Sequence, residues 1–144
     1  MVDEKDRSIL EELEKDGRES TVDIARKIGL PRATVHERIR RMTEKGVIKR
    51  FSVAPDYAKL GEGSTAFILV SYSPSKLTQR NLAKKIAEMR GVYEVHLLAG
   101  EWDMLLKVRG ESLESIGKLV IDRLRALEGV GRTVTLACFE NVKE

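Results

Sequence analysis

Basic residues are concentrated in one short stretch of the sequence, which reads GLPRATVHERIRRMTEKGVIKR over residues 29–50. Residues 26–50 hold nine Lys or Arg and two Asp or Glu, a balance of +7, whereas residues 1–25 hold four and nine, a balance of −5. The formal net charge of +3 conceals this segregation. A dense basic block attracts the phosphate backbone of nucleic acid, because binding releases the counterions condensed on it. The stretch therefore predicts binding to a polyanion.

The sequence gives little support to catalytic or metal chemistry. The single cysteine, Cys138, excludes an internal disulfide and a cysteine-cluster metal site. The two histidines, His36 and His96, lack the spacing of metal ligands, and no GxGxxG, P-loop or meaningful Ser/His/Asp pattern is present. We therefore expect neither a metal nor a cofactor.

The composition is that of an ordered protein, with 42% hydrophobic and 34% charged residues. No apolar run approaches the roughly 18 residues of a membrane span, and the charged N-terminus has no signal-peptide core. We therefore expect a cytoplasmic protein that does not enter a membrane. Many charges and only three amides, Gln79, Asn81 and Asn141, are typical of a thermophile.

Three helices are predicted in the first third of the chain. Asp3 and Ser20 are suitable N-caps for helices over residues 3–16 and 20–28, and Pro31 suits the first position of a third helix that ends near residue 45. A glycine closes each helix, namely Gly17, Gly29 and Gly46. Short helices joined by tight turns, with the basic helix last, give the pattern of a helix-turn-helix.

The third helix has a packed side and an outer side. At about 100° per residue, Val35, Ile39 and Met42 share the packed side, and the opposite and flanking positions are small, polar or basic. Small side chains in the first turn let a helix approach base edges, and the long cations that follow reach phosphates on either side. The residues predicted to bind DNA are Arg32, Ala33, Thr34, His36, Glu37, Arg38, Arg40, Arg41, Lys49 and Arg50.

Some of these assignments have alternatives. Glu37 can accept a hydrogen bond from a cytosine amino group, or neutralise Arg41 four residues later. Arg38 lies nearer the packed side and suits an ion pair within the protein equally well. The basic helix as a whole could be a solvated surface, although acids are absent from most of its outer face.

The second half of the chain predicts a different architecture. A predicted strand over residues 47–53 ends the DNA-binding domain, residues 1–53. A linker over residues 54–63 then leads to a second domain, residues 64–144. The second domain is predicted to contain, in order, a strand (66–72), a helix (77–89), two strands (92–99 and 104–108), a helix (112–127) and a strand (133–140). A faint repeat, in which Gly91-Val92 matches Gly129-Val130, supports two similar halves. The fold class is therefore α+β, a winged helix-turn-helix followed by a βαββαβ ferredoxin-like αβ-sandwich, whose free sheet face a partner subunit would cover.

Together these features resemble the Lrp/AsnC family of transcriptional regulators, the feast/famine regulators of bacteria and archaea, over nearly the whole chain. In the second half, the turn from Leu98 to Asp103 (LAGEWD) resembles the family's glycine–aromatic–aspartate effector loop. One departure is Pro31, where the family commonly has serine, so that a phosphate contact from a hydroxyl is lost there. The N-terminal match lies in Asp3, Asp6, Ile9-Leu10, Arg18, Ile24-Ala25, Gly29-Leu30, Ala33-Thr34-Val35, Arg38-Ile39 and Gly46-Val47-Ile48.

The resemblance implies partners as well as a fold. It implies a homodimer formed through the second domain, often assembled into a tetramer of dimers, with two recognition helices on pseudo-palindromic double-stranded DNA. It also implies an amino acid or related small metabolite as effector, bound in the second domain where dimers meet. Backbone N–H groups near Gly100 would bind the carboxylate of such a ligand, and Asp103 its ammonium group. The residues assigned to the effector are Leu98, Gly100, Glu101, Trp102 and Asp103, with Asp122, Thr133 and Thr135 added from the family's layout.

Other interpretations remain open at this level. The turn at Gly100 could be an ordinary hairpin connection. The two-domain build also resembles that of sirohaem decarboxylase enzymes, and in such an enzyme His96 would be a candidate catalytic group. The strongly basic helix argues against this alternative, and we predict that the protein is not an enzyme. An architectural DNA-coating protein would bind without sequence preference and ignore amino acids.

Overall fold

The computed structural model describes all residues, Met1–Glu144, as two compact units, Met1–Pro55 and Asp56–Glu144. No helix in either unit is both long enough and apolar enough to cross a membrane. The division predicted from the sequence, with a linker over residues 54–63, stays a prediction. Within that segment, Tyr57 packs against Tyr93 of the second unit, with ring centroids 5.0 Å apart.

The first unit contains three helices, of which the first two begin at the predicted N-caps. Of the three glycines predicted to close them only Gly29 is a C-cap, since Asp16 and Lys45 take that position one residue before Gly17 and Gly46. Asp3 caps the first helix in a capping box with Asp6, and Ser20 caps the second by accepting a hydrogen bond from the N–H of Asp23. Gly29 ends the second helix with a φ of 69°, a left-handed conformation that costs a residue with a side chain about 1–2 kcal/mol. The helices are α1 (Glu4–Lys15), α2 (Thr21–Ile28) and α3 (Arg32–Glu44).

A small apolar core joins the three helices. Ile9 of α1, Ile24 of α2 and Val35 of α3 have no exposed surface, and Met42 lies beside them. Val35 and Met42 lie two turns apart on the same side of α3, with Ile39 partly buried between them. The predicted packed side of α3 is therefore confirmed, and it leaves the opposite side of this helix exposed.

The prediction of a strand over residues 47–53 is wrong. The N–H groups of Val47 and Ile48 both donate to the carbonyl of Met42 and close the end of α3, and residues 49–56 form no regular element. A strand needs a neighbour with which to exchange backbone hydrogen bonds. Because the first unit is otherwise helical, the alternating segment has no such neighbour within its unit.

The second unit has the predicted βαββαβ order. Its four-stranded sheet has the strand order β2-β3-β1-β4, and all neighbouring strands are antiparallel. Two helical segments cover one face of this sheet. The elements are β1 (Ser64–Tyr72), α4 (Gln79–Ala87), β2 (Val92–Leu97), β3 (Met104–Gly110), α5 (Leu113–Lys118), a π-helical turn (Leu119–Leu124) and β4 (Val130–Ala137).

Four elements of the second unit differ from the sequence prediction by at most two residues at an end, and the last helix and the last strand differ by more. The helix predicted over residues 112–127 is α5 followed by the π-helical turn, in which the N–H of Arg125 donates to the carbonyl of Val120. A π-turn differs from an α-turn by one hydrogen-bond step, which leaves little trace in the sequence. The last strand begins three residues earlier than predicted, at Val130, because β4 pairs with β1 from Tyr72 onward.

The core of the second unit lies between the sheet and its helices. Alternate strand residues such as Ile68 and Leu106 have no exposed surface and pack with Leu82, Ile86 and Leu124 from the helices. The intervening strand residues face the other side, where no helix covers them and none of the apolar ones is buried. This open sheet face carries Phe67, Leu69, Leu105, Val134 and Leu136.

Charged residues border the open sheet face. Arg109 is only 7% exposed, and its guanidinium carbon lies 3.9 Å from the ring centroid of Tyr57 and 4.9 Å from that of Tyr93. Glu144 accepts from Arg109 at 2.8 Å and pairs with Lys107 at 3.0 Å. Lys107 first, and then Arg109, hold the pKa of Glu144 below its ordinary value. The buried cation is thus satisfied by aromatic faces and a carboxylate.

Candidate nucleic-acid interface and ligand site

The first turn of α3 is exposed on the side opposite the core. Arg32, Ala33 and His36 are exposed there, and Thr34 is half-buried. Pro31 is the N-cap rather than the predicted first residue, and no side chain caps the helix. The free N–H groups of this turn lie at the positive end of the helix dipole, which favours a phosphate oxygen.

Arg38 does not share the outer face, because it turns inward to α1. Its Nη1 donates to the carboxylate of Asp3 at 2.7 and 2.8 Å and to Oδ1 of Asp6 at 2.7 Å. Arg41 donates to the same Asp6 carboxylate at 3.1 and 3.2 Å. Asp6 itself is completely buried. We call this group of four side chains the Asp6 clasp; it joins the middle of α3 to the start of α1.

The electrostatics of the clasp favour its ionised form. Burial raises the pKa of the Asp6 carboxyl, but the hydrogen bonds from Arg38 and from the N–H of Asp3 outweigh burial and leave this pKa below its ordinary value. The N–H of Asp6, and then Arg38, likewise lower the pKa of Asp3. Arg38 therefore fits the ion-pair alternative that the sequence leaves open, and its side chain is only 18% exposed.

Arg40 lies on the outer face in an exposed ion pair. Its guanidinium bonds Glu37 at 2.6 and 2.9 Å and also contacts Glu44. Glu37 thus pairs with Arg40 three residues later, and not with Arg41 as the sequence suggests, because Arg41 is held by Asp6. An exposed pair of this kind contributes little to stability because water and salt screen it, so a phosphate can displace either carboxylate at little cost.

Four cations around α3 form no ion pair within the protein. They are all exposed, and two of them, Lys49 and Arg50, lie in the irregular segment that follows α3. Such side chains are free to bind phosphate without first breaking a contact. These cations are Arg32, Lys45, Lys49 and Arg50.

The turn between β2 and β3 holds most of the predicted effector residues. The N–H of Leu98 donates to the carbonyl of Asp103 at 2.8 Å, and the N–H of Asp103 donates to the carbonyl of Val70 at 3.0 Å. Between them, the exposed backbone N–H groups of residues 99–102 form no hydrogen bond within the chain. Gly100 has a φ of 132° and open space where a Cβ would lie. The turn therefore presents several N–H donors to a ligand.

The side chains of this turn have partners of their own. Asp103 accepts from the N–H of Tyr72 at 2.6 Å, so one carboxylate oxygen is engaged within the protein. Arg132 of β4 lies 5.0 Å from the ring centroid of Trp102 and 3.8 Å from the carboxylate of Glu101. The sequence does not indicate Arg132, since only the sheet topology brings it to the turn.

The remaining predicted effector residues lie elsewhere in the second unit. Thr133 and Thr135 line a depression of about 280 Å³ with Arg125, which forms no ion pair, and with an apolar wall. Asp122 borders a different depression, together with Arg109. The predicted set thus divides among three places on one chain. Side chains missed by the sequence analysis complete the threonine depression: Leu113, Val120, Ile121 and Arg125.

Comparisons with known proteins agree with this two-part build. Residues 2–49 match the winged helix-turn-helix DNA-binding family model, and residues 65–144 match the Lrp/AsnC ligand binding domain. The chain is 53% identical to an uncharacterised HTH-type transcriptional regulator of Pyrococcus abyssi, over 100% of this chain and 97% of that protein. Homologues from this thermophilic archaeal genus agree with the thermophile-like composition.

Solved structures show the same fold. A Neisseria meningitidis transcriptional regulator, in a complex with L-Met, superposes with a TM-score of 0.92 at 22% identity, covering 100% of this chain and 94% of that one. Bacillus subtilis LrpC superposes with a TM-score of 0.86 at 26% identity, covering 99% and 98%. The chain belongs to the Lrp/AsnC family and is a DNA-binding transcriptional regulator with a ligand-binding domain.

Proposed function

We propose that this regulator reads specific double-stranded DNA with the first turn of α3, and that an amino acid or related small metabolite bound by the second unit modulates it. One observation carries the DNA part of the proposal. The first turn of α3 is exposed, uncapped and free of acids, while Val35 and Met42 hold the helix in the core. A helix presented in this way can enter a major groove.

The residues divide into base readers and phosphate binders. Ala33, Thr34 and His36 are short enough for base edges to approach the helix, and Glu37 can accept from a cytosine amino group. The phosphate binders are the exposed cations Arg32, Arg40, Lys49 and Arg50. We omit Arg38 from the interface and assign Arg41 a secondary part, because the Asp6 clasp holds both guanidinium groups.

Binding to operator DNA tests this assignment. Footprinting should show protected half-sites about 34 Å apart, one helical turn. Arg50→Gln should weaken binding to all sequences and reduce the salt slope by about 0.9, whereas His36→Ala should change which sequence is preferred. Lys59→Gln is a matched control, because Lys59 is exposed in the second unit and pairs with Asp56. Equal effects of all three changes would contradict the division.

The effector assignment rests on the donors of the second unit. Free N–H groups at the β2–β3 turn and the guanidinium of Arg125 each suit a carboxylate, and the apolar wall beside Thr133 and Thr135 suits a side chain. Each site is open and incomplete in one chain, which fits a ligand bound where copies meet. The Neisseria meningitidis neighbour, a complex with L-Met, supports an amino acid as ligand.

A thermal-shift screen of the twenty amino acids tests the effector. A ligand that binds only the folded protein raises the melting temperature, by about 2.7 kcal/mol of added stability at a hundredfold excess over Kd. Gly100→Ala, which strains a φ of 132° at the turn, should abolish the shift. Gly17→Ala is the control, since Gly17 lies in the first unit, lacks a positive φ and has room for a Cβ, whose nearest neighbour would be the carbonyl oxygen of Leu13 at 3.7 Å. An absence of any shift with the unmodified protein would remove the amino-acid proposal.

The open sheet face supports a homodimer, with tetramers of dimers as the higher assembly. The open sheet face forms a partly exposed apolar surface of a kind that monomers rarely retain, with Val134 and Leu136 exposed and Phe67, Leu69 and Leu105 half-buried. Leu136→Glu should produce a monomer in light-scattering chromatography. Val142→Glu should not, because Val142 is exposed outside the sheet. Unchanged mass in both variants would place the interface elsewhere.

We also propose that the protein acts in the cytoplasm, where its DNA lies, and regulates without catalysis. His96, the candidate catalytic group of the sirohaem alternative, is exposed and bonds Glu94 at 2.9 Å. Tetrapyrrole binding to the purified protein, lost in His96→Ala, would instead support the enzyme.

A further inference from the structure

A second basic surface lies on α4, far along the sequence from α3. The buried side of α4 carries Leu82, Ala83 and Ile86. The exposed positions that remain are mostly basic, and another exposed arginine follows the helix at position 90. We call this surface the α4 basic face; it consists of Arg80, Lys84, Lys85 and Arg90.

None of these four cations forms an ion pair. Glu88, the one acid on the same side of α4, is also unpaired. By contrast, Arg38, Arg40 and Arg41 of α3 all bond carboxylates. In a chain related to Pyrococcus proteins, ion pairs are an expected source of stability, so an unpaired basic cluster does not serve that purpose.

The helix dipole accounts for only part of the basic face, because it favours Lys84 and Lys85 in the last turn of α4 but not Arg80. Arg80 lies in the first turn, next to the positive end of the helix dipole, where a cation is unfavourable. Arg80 and Lys84 are four residues apart, a spacing at which like charges repel. The helix start is stabilised independently, because Thr78 caps it by accepting from the N–H of Asn81. Helix stability therefore does not explain Arg80 or Arg90, whereas an external anion would be attracted by all four cations.

We propose that the α4 basic face binds the phosphate backbone of duplex DNA, without reading bases, beyond the stretch contacted by α3. The proposal rests on the DNA-binding function above. Arg80 and Lys84 are separated by about 6 Å along the helix, on a duplex that carries about one charge per 1.7 Å of its axis. Repeated phosphates therefore lie within reach of successive cations.

The composition of the face favours duplex DNA over single-stranded nucleic acid and over a protein partner. It has no aromatic side chain on which unpaired bases could stack, as single-stranded nucleic acid requires. It also has no large apolar side chain to form the core of a protein interface, since its other exposed members are Asn81, Ala87 and Glu88. Charge without stacking or apolar anchors fits a ligand that offers only phosphate.

The salt dependence of DNA binding tests the proposal with full-length protein and a mixed-sequence duplex of about 150 base pairs, one persistence length. The variant combines Arg80→Gln, Lys84→Gln and Lys85→Gln, because glutamine keeps the helix propensity. The control removes the same charge at exposed sites elsewhere in the second unit, with Lys59→Gln, Lys118→Gln and Lys143→Gln.

Loss of three phosphate contacts should make the log–log salt slope shallower by about 2.7 in the α4 variant. Between 50 and 200 mM salt, the unmodified protein should therefore lose about 40-fold more affinity than the variant. The control should keep the original slope, and competition between two duplexes should show unchanged sequence preference in the α4 variant.

Several outcomes would overturn the inference. An unchanged slope in the α4 variant would exclude phosphate contacts, and an equal change in both triple variants would show an effect of net charge alone. A changed sequence preference would place the face in base readout. If the unmodified protein shows no salt-dependent binding, the DNA-binding assignment itself fails; if it binds normally and only the α4 result is negative, this inference alone fails.

Discussion

Replacement of Asp6 by asparagine tests whether the clasp anchors the recognition helix. Asp6 is fully buried and accepts from Arg38 at 2.7 Å, from Arg41 at 3.1 and 3.2 Å and from the N–H of Asp3 at 3.1 Å. Removing one partner of a buried ion pair costs about 3–5 kcal/mol, because the other charge is left uncompensated. Arg38 keeps Asp3 as a partner, and the Arg41 side chain is 41% exposed, so we expect a loss of about 3 kcal/mol in the free energy of unfolding.

Urea unfolding measures this loss without screening the ion pairs as guanidinium chloride would. The midpoint should fall by about 1–3 M, for a slope of about 1–3 kcal/mol per molar urea. Circular dichroism follows the helices of both units, and the fluorescence of Trp102, the only tryptophan, reports the second unit alone, so a loss confined to the first unit shifts only the dichroism. The first signal should shift and the second should not. DNA affinity should fall at urea concentrations at which the unmodified protein still binds.

Glu44→Gln is the matched control, because it removes a carboxylate from an exposed ion pair with Arg40 on the same helix. Its effect should stay within about 1 kcal/mol. If Asp6→Asn costs no more than Glu44→Gln, the clasp is not an anchor. A parallel shift of the Trp102 signal would likewise contradict the assignment of the effect to the first unit.

Three further predictions concern acid stability, the core of the second unit and the turn after α2. The pKa of Asp6 in the folded protein lies below its ordinary value of 3.8. The contribution of Asp6 to the free energy of unfolding is therefore complete above that value and is lost as the pH falls below it. Urea unfolding at a series of falling pH values should show this loss in the unmodified protein and a flatter pH profile in Asp6→Asn. Leu106→Ala should cost the second unit about 2–5 kcal/mol, seen by Trp102 fluorescence, since Leu106 has no exposed surface; an unaffected Trp102 transition would refute this. Gly29→Ala should destabilise the first unit by about 1–2 kcal/mol, because alanine would have to adopt a φ of 69°. Gly17→Ala should not destabilise it in this way, because Gly17 has no positive φ. Equal effects of the two changes would show that the left-handed conformation is not the cause.

The sequence alone determined the features that depend on neighbours along the chain. The caps at Asp3 and Ser20 were predicted because a capping side chain reaches only two or three residues ahead. The buried side of α3 followed from a period of 3.6 residues, and its exposed basic and small residues followed from the same wheel. The βαββαβ order was predicted for the same reason, since each element carries its own pattern.

Contacts between distant residues were decided only by the tertiary structure. The sequence shows seven cations between residues 29 and 50, but not that Arg38 and Arg41 meet a carboxylate 32 and 35 residues away. The alternating segment after α3 has the pattern of a strand, yet a strand forms only where another backbone lies beside it. Arg132 reaches Trp102, and Arg125 reaches Thr133 and Thr135, because the sheet and its helices bring them together. The local hydrophobic pattern of the sequence determines which way a residue faces on its own helix or strand. The partner that the residue meets depends on how these elements pack together. That packing decides which cations remain free to bind DNA.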